Sequence, residues 1–431
     1  MTRPSLAPIA AVAAGILLLA AAGVTAFQSP PEQPRSELAA SAPPADPITS
    51  VQGHLKEYPD DATGWATLGH AYLQQARISG DPTYYPKAEG ALKKSLALQP
   101  KKNATALSGL GALANARHDF TQARDWARQA QAADPFDATA RAVEDDALTQ
   151  LGNYAGARLA AQKMLDLEPG VPSFTRASYH FEMDGNPASA RKALERALAE
   201  ATQPSDIAYC RYYLGELAFN EGDPAQAQPE YQAGLKVDPE NAQLLAGLAK
   251  ARAATGDLDG ARADYAAVVA RLPLTQYLLE YAELLQTMGR EDEYRQQLDL
   301  ISAQDQLMAA NGARDDLMAS QVAADHGKPE NAVRHARAEW SLRKSVLVAD
   351  ALAWALHRAG KNDEARQYAI TAGKLGWRNA TFSYHRGMIE LALGNRSDAR
   401  RHLARALEIN PHFSLVQAPK AKSALNSLKG L

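Results

Sequence analysis

The 431-residue sequence contains a single cysteine, Cys210. One cysteine forms no disulfide within the chain and supplies no cysteine-based zinc site. The charge is nearly balanced, because the sequence has 46 Lys and Arg residues and 49 Asp and Glu residues. Aromatic residues make up only 7% of the sequence. A chain with balanced charge has no electrostatic reason to bind nucleic acid or an anionic membrane surface. We therefore expect no nucleic-acid partner.

The common motifs of catalysis are also missing. The sequence contains no HExxH, GxSxG or GxxxxGK[ST] pattern, and no two of its 10 histidines are four residues apart. The acidic pairs Asp145-Asp146 and Asp315-Asp316 are typical of solvated helix faces, and Cys210 is expected to be a small buried residue. We therefore predict a protein without enzymatic activity, bound metal or cofactor.

The amino terminus has the pattern of an export signal. Residues 6–27 are uncharged, Ile16–Leu19 is their most apolar part, and Val24-Thr25-Ala26 is the small-x-small pattern of a cleavage site after Ala26. The run is also long enough to cross a membrane, so an uncleaved anchor stays open as the alternative. In that case membrane contact is confined to residues 6–27. Both alternatives place the rest of the chain outside the cytoplasm, either secreted or periplasmic, or anchored to the outer face of the membrane.

Downstream of a proline-rich stretch at 28–47, three residue types recur with a period close to 34. Prolines recur in two series, at Pro100, Pro135 and Pro169 and at Pro239 and Pro273. Alanines recur at Ala123, Ala157, Ala190, Ala227, Ala261, Ala332, Ala365 and Ala399. Glycines mark expected turns at Gly222, Gly256, Gly327, Gly360 and Gly394. Three series in phase indicate an array of structural repeats.

Each repeat has the pattern of two amphipathic helices joined by a turn. The first clear unit places its characteristic residues at Trp65, Leu68, Gly69, Tyr72, Ala88, Leu92 and Pro100. A later unit repeats the pattern around Leu214, Gly215 and Ala227, with Leu214 expected in the core. The pattern resembles the tetratricopeptide repeat (TPR), a helix-turn-helix unit of 34 residues. The resemblance implies an all-α fold, an α-solenoid in which about ten TPR-like units form a right-handed superhelix.

The repeat register divides the chain into five parts. Residues 1–27 are the signal peptide or anchor helix, 28–47 a proline-rich linker, 48–61 an N-terminal capping helix, 62–411 the TPR solenoid, and 412–431 a C-terminal capping helix. Atypical ends are expected because the terminal repeats must cover an apolar face that has no further neighbour. The first unit departs from the pattern, with about seven extra residues between its helices at 77–86.

The TPR resemblance also implies where a partner binds, because the first helices of the units line a concave groove. The groove positions are Tyr179, Glu182, Tyr209, Tyr212, Glu216, Asn220, Lys250, Trp354, His357 and Arg358. Two further groove positions, Glu283 and Gln321, lie between Lys250 and Trp354 in the sequence. Aromatic side chains concentrate binding energy, and the carboxylates offer acceptors to a basic or hydroxyl-rich segment. The same tyrosines could also simply pack between repeats.

The resulting hypothesis is a non-catalytic scaffold of the cell envelope, or of the space outside the cytoplasm, that binds a protein or peptide segment in its groove. Two alternatives stay open. The chain could assemble end to end into a larger structure through its caps. It could also bind or process cell-wall glycans on a helical scaffold, in which case Glu182 and Glu216 are the candidate acids.

Overall fold

The computed structural model of the protein describes residues 46–310 and 315–428, without the side chains of residues 307–310. The expected signal or anchor helix, nearly all of the proline-rich linker and the last three residues of the expected C-terminal cap lie outside these ranges. Within them the chain forms 22 helices and no strand. The all-α fold expected from the repeats is confirmed.

A single helix precedes the repeats and another follows them, α1 (Pro47–Glu57) and α22 (Gln417–Ser427). Between them the described residues form ten helix pairs. The first five pairs are α2 (Ala62–Ser79) with α3 (Tyr84–Leu98), α4 (Ala104–Ala116) with α5 (Phe120–Ala133), α6 (Ala138–Leu151) with α7 (Tyr154–Leu167), α8 (Val171–Met183) with α9 (Pro187–Glu200), and α10 (Pro204–Asn220) with α11 (Pro224–Val237).

The other five pairs are α12 (Ala242–Ala254) with α13 (Leu258–Arg271), α14 (Thr275–Thr287) with α15 (Glu291–Ala310), α16 (Asp316–His326) with α17 (Pro329–Leu342), α18 (Val346–Arg358) with α19 (Asn362–Ala372), and α20 (Ala380–Ala392) with α21 (Arg396–Ile409). The count agrees with the number of units expected from the sequence.

Short polar side chains start many of these helices. Asn103, Asp119, Asn153, Asn186 and Asp223 each accept a hydrogen bond from a backbone N–H in the first turn of the helix that follows. Such N-caps satisfy donors that have no partner within the helix. Four of the five lie in the turn inside a helix pair, so the sequence itself ends one helix and starts the next.

The chain forms two compact units, whose described parts are residues 46–147 for the first, and residues 148–310 with 315–428 for the second. In the first unit Leu68 and Tyr72 of α2 are buried against Ala88 of α3. A Cβ on Gly69 would lie 2.5 Å from Cγ of Leu92, so glycine is required for this close approach of the two helices. The extra residues of the first pair lengthen α2 to 18 residues and leave a short loop before α3.

In the second unit each helix pair buries its apolar side against the next pair. Leu214 of α10 is 2% exposed, which confirms it as a core residue, and Tyr231 of α11 and Leu244 of α12 are fully buried. Towards the end of the unit, Leu352 of α18 and Leu403 of α21 are likewise fully buried. Clusters of buried apolar side chains therefore recur along the stack of helix pairs, as in other repeat proteins.

The second unit also contacts itself over a long distance along the chain. The backbone N–H of Val346 donates to the Tyr154 hydroxyl at 2.8 Å, and the Asn410 amide donates to the Phe219 carbonyl at 2.8 Å, across separations of 192 and 191 residues. Between these two points Gly185 contacts the backbone of Gly376. The stack has therefore turned until later loops meet earlier turns. We call this line of contacts the seam. On one side it consists of residues 152–154, 185 and 219–222, and on the other side of residues 344–346, 376–377 and 409–410.

In the part of the chain that the structure describes, we find no helix with the length and apolar character needed to pass through a bilayer.

Candidate functional site

Three tyrosines on α10 form a contiguous aromatic surface. The ring of Tyr213 lies 4.7 Å from that of Tyr209 and 5.0 Å from that of Tyr212, centre to centre. Tyr212 in turn lies 6.2 Å from Tyr231 of α11. All three α10 rings are partly buried, so they pack on one another and keep part of their surface accessible. Tilted and edge-on contacts of this kind are favourable arrangements of aromatic rings.

Glu216 lies one turn further along α10 and is held from two sides. The Tyr231 hydroxyl donates to one carboxylate oxygen at 2.6 Å, and Lys250 Nζ lies 2.8 Å from both oxygens. The same ammonium sits 4.6 Å from the centre of the Phe219 ring. The side chains of Glu216 and Lys250 are 18% and 26% exposed. Glu216 and Lys250, two of the predicted groove residues, are therefore partners of each other.

A second carboxylate, Glu280 of α14, extends the same cluster. It accepts hydrogen bonds from the Tyr265 hydroxyl and the Gln276 amide, both at 3.1 Å. Burial raises the pKa of Glu280 above its ordinary value, although the positive charge of Lys250 opposes the shift. Sequence reasoning missed Glu280. Two signals for it were that Tyr265 repeats the position of Tyr231 one unit later, and that Glu280 lies two periods of 34 residues after Tyr212.

Glu182 of α8 is the third carboxylate, and it lies in a cleft at the seam. Asn220 donates to it at 3.3 Å, and the Trp377 side chain beside it favours the charged form of the carboxyl. Burial, with smaller contributions from the carboxylates of Glu216 and Glu221, raises the pKa of Glu182 to about 7. The cleft is lined by Glu182, Pro187, Leu217, Asn220, Glu221, Trp377, Arg378 and Ile409.

Tyr179 belongs to the seam as well. Its ring packs edge-on against the Trp377 indole at 6.0 Å. Trp377 was not among the predicted site residues, because it lies in the loop between α19 and α20, about 200 residues away along the chain. Predicted groove residues from α8 and α10 therefore meet a surface that belongs to a much later repeat.

The tyrosines around the carboxylates are neutral. Burial raises the pKa values of Tyr212, Tyr231 and Tyr265 well above the ordinary value, and the nearby carboxylates add to this effect. A neutral phenol both donates and accepts a hydrogen bond. The surface therefore combines aromatic faces, neutral hydroxyls and three carboxylates with one lysine among them. We define the inner wall as this set, on α8, α10, α11, α12, α13 and α14: Glu182, Tyr209, Tyr212, Tyr213, Glu216, Asn220, Tyr231, Lys250, Tyr265 and Glu280.

The three predicted residues on α18 form a separate group. Trp354 is 5% exposed, and its indole N–H donates to Asp325 at 3.1 Å. Its ring stacks between those of His357 at 5.0 Å and His385 at 4.2 Å. Arg358 Nε donates to the carbonyl of Ala324 at 2.9 Å. These contacts place Trp354 in the core between α16, α18 and α20, where it has little surface left for a partner.

The remaining predicted groove residues either interact with a neighbouring side chain or are partly buried. The imidazole of His357 shares a hydrogen bond with the Asn362 side chain at 2.7 Å, and burial lowers its pKa. Glu283 of α14 lies 3.9 Å from His326 of α16. Gln321 is partly buried on α16. Across the described residues there is no group of three or more His, Cys, Asp or Glu side chains placed to hold a metal ion.

Cys210 is fully buried, as expected from its place on α10. Burial raises the pKa of its thiol to about 12, and the charge of Asp206 adds to the shift. Because the thiolate is the nucleophilic form, a thiol with so high a pKa is unreactive at neutral pH. Cys210 therefore packs as a small apolar residue.

Several solved structures are similar to this chain. A tetratricopeptide repeat protein from Parabacteroides merdae is 18% identical, with a TM-score of 0.36 over 60% of this chain and 98% of its own. The human IFIT1 dimer with PPP-AAAA is 15% identical, with a TM-score of 0.46 over 84% of this chain and 86% of its own. Yeast Tom70 is 11% identical, with a TM-score of 0.38 over 89% and 91%. No curated protein matches the chain.

The repeat family itself matches at four places, residues 84–138, 175–225, 212–274 and 351–413. Together these matches cover slightly more than half of the 431 residues. They include most of α8 and all of α10 and α12, the helices that carry most of the inner wall. The chain belongs to the tetratricopeptide repeat family.

Proposed function

We propose that this protein is a non-catalytic interaction scaffold outside the cytoplasm, and that its inner wall binds an extended or helical protein segment carrying basic and hydroxyl groups. Membership of the TPR family supports a role in protein–protein interaction, because solenoids of this kind present long concave surfaces to their partners. Residues 6–27 support export, as a signal peptide or an anchor.

One observation carries the choice of ligand: the inner wall has more negative than positive charge. Glu182, Glu216 and Glu280 lie on the first helices α8, α10 and α14, and Lys250 on α12 is the lysine among them. The carboxylates repel one another, since the charge of Glu216 raises the pKa values of both Glu182 and Glu280. A positive side chain from a partner would relieve this repulsion, and charge complementarity of this sort fixes specificity and register.

The tyrosines supply the other half of the recognition surface. Tyr209, Tyr212 and Tyr213 offer partly exposed rings beside the carboxylates. Aromatic residues bury a large area at a low cost in side-chain entropy, and Lys and Arg side chains stack favourably on their faces. Tyrosine beside glutamate is therefore suited to hold the stem and the head of a basic side chain together.

A pull-down from membrane extract tests the site. The wild type is compared with Tyr209→Ala/Tyr212→Ala and with Tyr58→Ala, which removes an exposed tyrosine at the end of α1. We expect the double variant to lose partners that the wild type and the Tyr58 variant retain, and far-UV circular dichroism shows whether all three are folded. The same partner list from all three proteins would remove the inner wall as the binding site.

Location is tested separately. Cell fractionation and N-terminal sequencing of the mature chain distinguish cleavage after Ala26 from a retained anchor. Recovery of the intact chain from the cytoplasm would contradict the proposal.

A glycan-processing function is the second candidate, because Glu182 has the raised pKa of a general acid. Glycoside hydrolysis also needs a second carboxylate that can act as nucleophile or base. The other candidate, Glu216, has its oxygens occupied by Tyr231 and Lys250, which favours the scaffold. Turnover of cell-wall glycan that is lost in both Glu182→Gln and Glu216→Gln would reverse this preference.

A further inference from the structure

Charge is distributed unevenly along the chain. Residues 328–431 contain 18 Lys and Arg residues and 8 Asp and Glu residues, whereas residues 1–327 contain 28 and 41. The net charge is therefore +10 in the last part and −13 in the part before it. The near balance of the whole sequence is the sum of these two values. The total charge therefore does not describe how the last repeats interact with a charged partner.

The second helices of the last three pairs, α17, α19 and α21, carry many of these cations on the side that faces away from the core. On α19, Arg366, Ile370 and Lys374 are four residues apart, and all three are exposed. Residues with this spacing lie along one side of a helix. Ile370 is 54% exposed although it is a large apolar residue. The outer side of α19 therefore presents an apolar side chain between two cations.

The second helices on either side of α19 have the same character. On α17, Arg334 is exposed, and Leu342, about two turns later, is 62% exposed. On α21, Arg396 and Arg400 are four residues apart and both exposed. The inner-wall carboxylates, in contrast, lie on first helices. We define the basic face as the following residues: Arg334, Leu342, Arg366, Ile370, Lys374, Arg396 and Arg400.

The carboxylates of these repeats do not neutralise the basic face. Glu390 of α20 is fully buried, and one of its oxygens accepts hydrogen bonds from two arginines, Arg366 at 3.0 Å and Arg386 at 2.7 Å. One carboxylate therefore serves two cations. Within the described part of the chain, neither Arg396 nor Arg400 has a carboxylate at salt-bridge distance. These repeats therefore present an excess of positive charge to the solvent.

Apolar and aromatic side chains distinguish the basic face from a nucleic-acid site. Trp340 and Tyr368 are partly exposed and pack edge-on at 5.4 Å, so they join the helices that carry Leu342 and Ile370. Lys344 Nζ lies 4.5 Å from the centre of the Trp340 ring. A nucleic-acid backbone would bind the cations and leave Leu342 and Ile370 in water. A lipid–water interface accepts cations, aromatic rings and aliphatic side chains together.

We propose that the basic face docks on the surface of an anionic phospholipid bilayer. Its lysine and arginines contact the headgroup phosphates, and Leu342 and Ile370 enter the boundary between headgroups and acyl chains. Electrostatic attraction and apolar burial act together in peripheral binding of this kind. Docking holds the last repeats against a membrane whether or not residues 6–27 are retained as an anchor. The inner wall takes no part, so the proposal goes beyond the proposed function and is independent of it.

A fluorescent label at position 370 of the full chain tests the docking. Ile370→Cys is labelled with an environment-sensitive thiol fluorophore, while the buried Cys210 stays unlabelled. The protein is titrated with vesicles of phosphatidylcholine alone, or of phosphatidylcholine mixed with phosphatidylglycerol. We expect a blue shift of the emission with the anionic vesicles only, and its loss at high salt because exposed charges are screened. The same label in Gln232→Cys, an exposed position on α11, should show no shift, so insertion of residues 6–27 is not mistaken for docking.

Two paired charge variants, made in the protein labelled at position 370, show whether the cations of the basic face are responsible. Arg396→Gln/Arg400→Gln removes two of them, and Lys192→Gln/Arg196→Gln removes an exposed pair with the same spacing on α9. Each Lys or Arg near an anionic surface strengthens binding roughly fivefold, so we expect the first variant to need at least about 10-fold more anionic lipid. The second variant should behave as the parent protein. Far-UV circular dichroism shows whether both variants are folded.

Several results would overturn the proposal. These are an equal shift with neutral and anionic vesicles, no shift with either, or the same lipid requirement in both charge variants. A change in fluorescence anisotropy on titration with a DNA duplex, lost in Arg396→Gln/Arg400→Gln and without any shift from vesicles, would assign the basic face to nucleic acid instead. A shift that needs no vesicles and grows with protein concentration would assign it to a second copy of the chain.

Discussion

Replacing Gly247 of α12 by alanine tests how closely the helices of neighbouring repeats are packed. A Cβ at this position would lie 2.5 Å from Cε1 and 2.7 Å from Cζ of Tyr231. The Tyr231 ring is fully buried, it also touches Gly215 of α10, and its hydroxyl is bonded to Glu216. The ring therefore has no free space into which it can move.

The size of the effect follows from three contributions. Overpacking a well-filled core costs ~1–3 kcal/mol. If the ring moves, the hydrogen bond to the ionised Glu216 is weakened, and such a bond contributes ~1.5–3 kcal/mol. Alanine offsets part of this because it favours a helix by ~1 kcal/mol over glycine. Taken together, these contributions lead us to expect that Gly247→Ala lowers the free energy of unfolding by about 1.5–5 kcal/mol.

Gly90 of α3 is the matched control. It is exposed, it lies inside a helix, and a Cβ there would meet nothing within 4 Å. Gly90→Ala should therefore raise stability by ~0.5–1 kcal/mol. Urea unfolding followed by circular dichroism gives the sign of each change, and amide exchange in α11 and α3 locates it. Stabilisation by both variants would refute the close approach at Tyr231.

Three further predictions concern the second unit. Leu214→Ala should cost ~2–5 kcal/mol in urea unfolding, because Leu214 is 2% exposed, and a loss below about 1 kcal/mol would show that it is not a core residue. Cys210 should react with a thiol reagent at pH 8 much more slowly in the native protein than in denaturant, since burial raises its pKa to about 12, and equal rates would contradict its burial. Lys250→Met removes the positive partner of Glu216, so urea unfolding at pH 7 should show a loss of stability that shrinks when Glu216→Gln is added. A loss in the double variant equal to the sum of the losses in Lys250→Met and Glu216→Gln alone would mean that the pair is not coupled.

The repeat architecture was readable from local sequence because each unit repeats its own signals. The spacing of Ala227 and Ala261 placed α11 and α13 in the same register, and Trp65 with Leu68 marked the buried side of α2. Helix pairs of this kind are determined by residues within about 40 positions of one another, so the sequence contains most of what fixes them.

The seam could not be predicted in the same way. It joins residues about 190 positions apart, and whether they meet depends on small rotations added over several helix pairs. Gly185, Gly222 and Gly256 have the same backbone conformation, yet only the first two touch a later loop. The local signal of a turn glycine is identical in all three, so the tertiary contact has no separate signature.

The candidate site, like the fold, could be predicted from the sequence only in part. Resemblance to the repeat placed Tyr212, Glu216 and Lys250 on first helices, and the structure brings them into one cluster. Trp354 follows the same register but lies in the core, because two histidines and Asp325 surround it. Register alone specifies which side of a helix a residue occupies, and the neighbouring repeats decide how much of it stays accessible.

Site-specific photo-crosslinking in cells tests the central claim most directly. A photoreactive phenylalanine replaces Tyr212 of the inner wall or, in separate control proteins, the exposed Tyr58 or Phe136. We predict that position 212 captures a protein segment with lysine or arginine beside the crosslinked residue, identified by mass spectrometry, and that the two control positions do not. Capture of the same segment from positions 58 or 136, with none from position 212, would contradict a binding site on the inner wall.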